Sequence, residues 1–144
     1  IFVVLKLETY WLMAEYFSQS FKFFRAARLQ IEELLIVCLD NNWKNIWLYG
    51  AGDLGEIATL CASNHNINLR GIIDPNFPDE QFAKLPVLKK LSDASKIEAI
   101  IITDLDDPQR AYELCLDGLN ENRVLIAPFL RISRSKINRD EDIL

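Results

Sequence analysis

The chain has 144 residues, 50% of them hydrophobic and 26% charged, with a formal net charge of -5, a composition that suits one globular domain with an added arm. The acidic balance argues against a general nucleic-acid binder, because neutralising phosphates supplies most of such affinity, and three scattered cysteines with one histidine leave no zinc-type cluster, so no metal is expected. Ile1 to Leu5 and Leu34 to Leu39 are too short for a secretory core or a membrane span, and the expectation is a cytoplasmic protein without membrane contact.

Residues 8 to 41 hold neither glycine nor proline, and apolar side chains recur at Tyr10, Met13, Phe17, Phe21, Phe24, Ile31, Leu35 and Cys38. Steps of three, four and seven predict helix. A second apolar set at Leu12, Tyr16, Phe23, Ala27 and Leu34 widens the face beyond what one neighbour covers, and eight of the fifteen aromatic residues fall in the first 24 positions. Residues 1–42 are therefore expected to form a long helix or a helical hairpin, with Ser18-Gln19-Ser20 as the place for a break, that either packs on the domain's own core or, as the aromatic excess favours, joins two subunits into a homodimer. Lys22, Arg25 and Arg28 put three positive charges on one side of it, which reads as a solvated face or as a contact with phosphates or an acidic partner. Asp40-Asn41-Asn42 closes the helix, since asparagine tolerates the left-handed conformation.

Ile46 to Tyr49 then reads as a strand that breaks into Gly50-Ala51-Gly52-Asp53-Leu54-Gly55 and opens a helix with Leu54, Ile57, Ala58 and Cys61 as its buried stripe. Strand, glycine turn and helix in that order are what a nucleotide-binding α/β domain places at its centre. Gly50 allows the sharp turn, Gly52 removes a Cβ where a phosphate approaches the backbone, and Gly55 allows close helix–strand packing. Leu69 to Ile73 is a second strand ending at Asp74, 19 residues beyond Gly55, where a carboxylate accepts from ribose hydroxyls. Asp74-Pro75-Asn76-Phe77-Pro78 is a turn cluster that stops the strand and is expected to form one wall of the site. No cation follows Asp74 until Lys84, so NAD is favoured over NADP. His65, in the loop before this strand, belongs to the edge of the sheet away from any ligand.

Leu85 to Leu88 is expected as a short edge strand carrying Pro86, followed by a short helix at Lys89 to Ser92. Ala99 to Ile102 has the apolar, β-branched character of a strand buried on both faces. Asp107-Pro108 reads as a helix N-cap with proline in first place, and that helix runs to about Leu116. Val124 to Ala127 is the last strand. Right-handed crossovers give a parallel sheet of order 3-2-1-4-5 flanked by helices, a Rossmann-like α/β domain over residues 43–133, and residues 134–144 are expected to be a mobile tail.

The cofactor-binding candidates are Gly50, Ala51, Gly52, Asp53, Leu54, Gly55, Asp74, Thr103 and Asp104, all at one end of that sheet. Unpaired N–H groups and the helix dipole favour an anion there, whereas Asp53 and Glu56, in the first turn of the same helix, are placed to compete for those donors. Nucleophilic catalysis needs an activated side chain beside a base, and no such pairing is legible. No catalytic residue is assigned. The alternative is a fragment of an NAD-dependent oxidoreductase or of a sugar-nucleotide-modifying enzyme.

Phe23-Phe24-Arg25-Ala26-Ala27-Arg28, Leu48 through Ala58, Thr103 through Gln109, and Arg123-Val124-Leu125 with Pro128 and Leu130-Arg131-Ile132 occur in this order over residues 15 to 133. Together they resemble the C-terminal half of bacterial winged-helix transcriptional regulators of the MarR-like type. The resemblance implies a regulatory, non-catalytic role, with a small-molecule effector at the glycine turn. DNA would be contacted only through an upstream domain, since no winged helix fits before Glu8. A chain beginning at Ile1 rather than methionine agrees with an interior or C-terminal piece of a longer protein.

Overall fold

A computed structural model of the chain describes residues 2–134, with side chains from Lys6 onward; of the expected mobile tail, 134–144, all but Arg134 lies outside the described residues. The glycine-free stretch forms one helix, α1 (Phe2–Asp40). No break occurs at Ser18-Gln19-Ser20, and the hairpin alternative is corrected: two serines flanking a glutamine cost helix propensity of only tenths of a kcal/mol each, about 0.5, without proline or glycine to interrupt the ladder. Asn42, at φ 56°, turns the chain out of the helix as expected.

The rest alternates strand and helix: β1 (Ile46–Tyr49), α2 (Asp53–Asn64), β2 (Gly71–Ile73), β3 (Gln81–Phe82), β4 (Leu85–Leu88), β5 (Ala99–Ile102), α3 (Pro108–Leu116) and β6 (Val124–Leu125). The sheet order is β3-β4-β2-β1-β5-β6. Five strands run parallel, in the order expected from the sequence, and β3 adds a two-residue antiparallel edge against β4 that alternation did not reveal. The segment after β4 is a 3-10 turn, Leu91–Asp93, rather than a helix from Lys89.

Every residue of β1 and β5 is buried, because both faces of a parallel sheet are covered. Side chains alternate between the faces. Ile46 and Leu48 join Ala27, Ile31, Leu35 and Cys38 of α1 and Leu54, Ala58 and Cys61 of α2 in one core layer. Trp47 and Tyr49 join Ala111, Tyr112 and Cys115 of α3 in the other. All three cysteines are free and buried, as expected, and burial holds the thiols of Cys38 and Cys115 up at about 11 and about 12.

Below the sheet, Glu98 stitches the α1–β1 connection to the start of β5. Its Oε1 accepts from the Lys44 N–H at 3.0 Å and the Asn45 N–H at 2.9 Å, and these bonds hold its carboxyl below the usual glutamate range. A carboxylate depressed in the folded state contributes stability above its unfolded pKa, about 4.3, and loses it as pH falls through the folded value. Glu98→Gln is therefore expected to lower the urea midpoint at pH 7, with the gap to the parent protein closing as the pH falls below the ordinary glutamate range.

Candidate functional site

The carboxyl ends of β1, β2 and β5 meet at the glycine turn, and main-chain chemistry dictates its shape. Gly50 has φ +121°, and a Cβ there would lie 2.5 Å from the Asp104 main-chain N. The Gly50 N–H donates to the Ile73 carbonyl at 2.9 Å, and the Thr103 hydroxyl donates to the Gly50 carbonyl at 2.7 Å. The turn is thus clamped between the two neighbouring strands. Gly55 lets α2 sit against this clamp, since a Cβ there would lie 2.8 Å from the Gly50 carbonyl oxygen. A Cβ at Gly52, by contrast, would meet nothing within 4 Å. Folding has no use for the missing side chain at that position.

Gly52 is also the N-cap of α2, in extended conformation, and no side chain caps the helix. Helix geometry leaves the first N–H groups without intrahelical acceptors. Among the described residues no hydrogen bond reaches the N–H of Gly52, Asp53, Leu54 or Gly55, while the N–H of Glu56 already donates to Gly52. The competition expected from Asp53 and Glu56 is therefore not what the geometry contains. One acid does occupy the turn. Asp74 accepts through Oδ2 from the Ala51 N–H at 2.9 Å and through Oδ1 from the Asn76 N–H at 2.9 Å, so the carboxylate expected to meet ribose also ties β2 to the glycine turn. Each of its oxygens keeps a further lone pair.

Above the turn lies a cleft of about 730 Å³, within the range of small-molecule sites. Seven of the nine candidates line it: Gly50, Ala51, Gly52, Asp53, Asp74, Thr103 and Asp104. Leu54 is fully buried in the core instead, and Gly55 packs beneath the turn. Thr103 is itself 1% exposed and spends its hydroxyl on Gly50, so it shapes the cleft rather than reaching across it. Asp104 Oδ1 accepts from the N–H groups of Asp106 and Asp107, and Asp107 accepts from the Arg110 N–H at the head of α3.

The turn after β2, expected as one wall of the site, does supply Pro75, Asn76 and Phe77 to the lining. Sequence reasoning missed Arg110, from the first turn of α3, which among the described residues is the one cation in a lining that carries Asp53, Asp74, Asp104, Asp106 and Asp107. The Asp107-Pro108 cap was the available signal for Arg110, since it sets the first turn of α3 at the same sheet end as the glycine turn. Phe77 was signalled by the proline-rich turn that ends β2, but its packing partner was not. It packs edge-on against Phe82 of the unforeseen β3, ring centroids 5.4 Å apart. His65 caps the far end of α2 and does not line the cleft. Among the described residues no group of His, Cys, Asp and Glu side chains is placed to hold a metal ion, and no helix is long and apolar enough to cross a membrane.

The fold and cleft define the class: an α/β domain with a parallel sheet and an open helix N-terminus at its carboxyl edge. No protein-family model matches the chain, and no curated protein matches it.

Proposed function

We propose that the chain is the ligand-sensing, non-catalytic domain of a regulatory protein and binds a nucleotide or dinucleotide, NAD before NADP, across the glycine turn. One observation carries this reading: four successive unclaimed N–H groups, Gly52 to Gly55, at the head of α2 beneath an open cleft. Such a run, with the dipole behind it, is a ready anion site. A phosphate seated there leaves the free lone pairs of Asp74 for ribose hydroxyls and the Arg110 guanidinium for a second charge. The dense carboxylates around it disfavour ligands whose charge is not met by these few donors, which is why a 2'-phosphate beside Asp74 is rejected.

The likeness of the motifs to MarR-like regulators completes the proposal: an upstream winged helix for DNA, a cytoplasmic setting, and a homodimer through α1. Thermal unfolding of the chain with NAD, NADH, mononucleotides, coenzyme A and sugar nucleotides tests it. A ligand at a hundred times its Kd adds about 2.7 kcal/mol to stability, a rise of roughly 6–10 °C for a chain of this size. The same ligand is expected to be recovered chemically unchanged. Absence of any rise across the panel overturns the proposal, and turnover of the ligand overturns its non-catalytic part.

A further inference from the structure

Residues 6 to 19 of α1 are exposed throughout, and its side chains join the core only from Ala27. Within the free part, Leu7, Tyr10, Ala14, Phe17, Phe21 and Phe24 follow steps of 3, 4, 3, 4 and 3, the spacing of a coiled-coil seam. The five large ones are between 51% and 68% exposed, far more than a lone globular domain leaves open along one line. Phe23, off the seam, is already used, edge-on to Phe129 of its own domain at 5.7 Å.

Two features of the seam decide what covers it. The series continues through Arg28 into Ile31, Leu35 and Cys38, which are fully buried against the domain. The domain therefore takes over the stripe where the free part ends, and a parallel partner would bring both domains to the same end of it, each in the way of the other's helix. The step pattern also reads identically in both directions. An antiparallel copy centred between Ala14 and Phe17 stacks Leu7 on Phe24, Tyr10 on Phe21 and Ala14 on Phe17 in six layers, with the small alanine opposite a phenylalanine on either side of the two-fold axis, as interdigitated packing requires.

We infer that the free half of α1 is a self-complementary antiparallel seam, so that two copies pair over residues 7–24 and hold their cleft-bearing domains at opposite ends. This rests on the homodimer reading above and adds its geometry. The test uses the full chain carrying Lys6→Cys or Arg25→Cys, both exposed positions, with a bis-maleimide of about 10 Å reach, the interaxial scale of packed helices. In the antiparallel pair Lys6 of one copy is level with Arg25 of the other, whereas like positions stand roughly 28 Å apart at 1.5 Å per residue.

Mixed Lys6→Cys and Arg25→Cys chains are expected to cross-link, each variant alone is not, and the parent protein with its three buried thiols serves as control. Cross-linking of each variant with itself means a parallel pair and overturns the seam while sparing the dimer. A monomer mass in sedimentation at tens of micromolar (~50 µM, above a dissociation constant in the micromolar range) overturns both. A dimer that cross-links in neither way has its interface elsewhere, and the seam again fails. Phe17→Asp, on an exposed position, is expected to give a monomer of unchanged helix content.

Discussion

Gly50→Ala is expected to lower the unfolding free energy by about 2–6 kcal/mol, a large share of the roughly 5–15 kcal/mol that a domain of this kind possesses. Two costs add. A positive φ of +121° is strained for any residue with a side chain, about 1–3 kcal/mol. The new Cβ would also lie 2.5 Å, 2.7 Å and 2.8 Å from main-chain atoms of Asp104 and Thr103, which cannot rotate away as a flexible side chain would, and such overpacking costs about 1–3 kcal/mol. Because the Thr103 hydroxyl and the Ile73 carbonyl both bond to Gly50, relief at the turn would strain β2 or β5 in exchange. Urea unfolding followed by circular dichroism measures this, and a loss below about 1 kcal/mol would mean that the turn relaxes freely.

Gly52→Ser, two residues on, is expected to do the opposite. Its Cβ enters open space, and φ -157° is extended backbone that serine adopts readily. A serine hydroxyl at the N-cap can accept from one of the unclaimed amides of α2, so stability should hold or rise by a few tenths of a kcal/mol, about 0.3–0.5, over glycine. The same oxygen fills the place proposed for the ligand's phosphate and claims one of its donors. Loss of a charge-assisted bond plus a steric conflict gives at least ~2.8 kcal/mol, about a hundredfold in Kd. The pair of variants thus separates the turn's two roles: Gly50 for folding, Gly52 for binding. A Gly52→Ser protein that kept the ligand-induced rise in melting temperature would remove the anion site from the head of α2.

The parallel strands were legible because their signals were redundant. Ala99-Ile100-Ile101-Ile102 is apolar on both faces and ends at a capped helix, and Ile46 to Tyr49 is bounded by a glycine turn; each has one reading only. β3 was illegible because two residues, Gln81 and Phe82, carry no period, and their pairing is imposed by the turn at Ala83 and Lys84, both at positive φ. The shorter β2 and β6 show the limit of apolar runs, since Leu69 and Ile126 pack against the core and Ala127 is buried without any of them joining a ladder. At the site, sequence order placed the glycine turn and Asp74 together because one βαβ unit contains both. It could not foresee that Asp74 would bond the Ala51 N–H, or that Thr103 would be consumed by Gly50. Those are contacts across strands 23 and 53 residues apart, set by register rather than by local pattern.

The unbroken α1 has a mechanical corollary. Its last third is embedded beside α2, the helix that starts at the glycine turn, and its first two-thirds projects as a rod. From Ala27 to Leu7 that rod measures roughly 30 Å. A rotation of about 5° where it leaves the domain therefore sweeps its tip through roughly 2.6 Å at that helical rise, half the pitch of a helix. A break at Ser18-Gln19-Ser20 would have absorbed such a movement. A continuous lever hands it on.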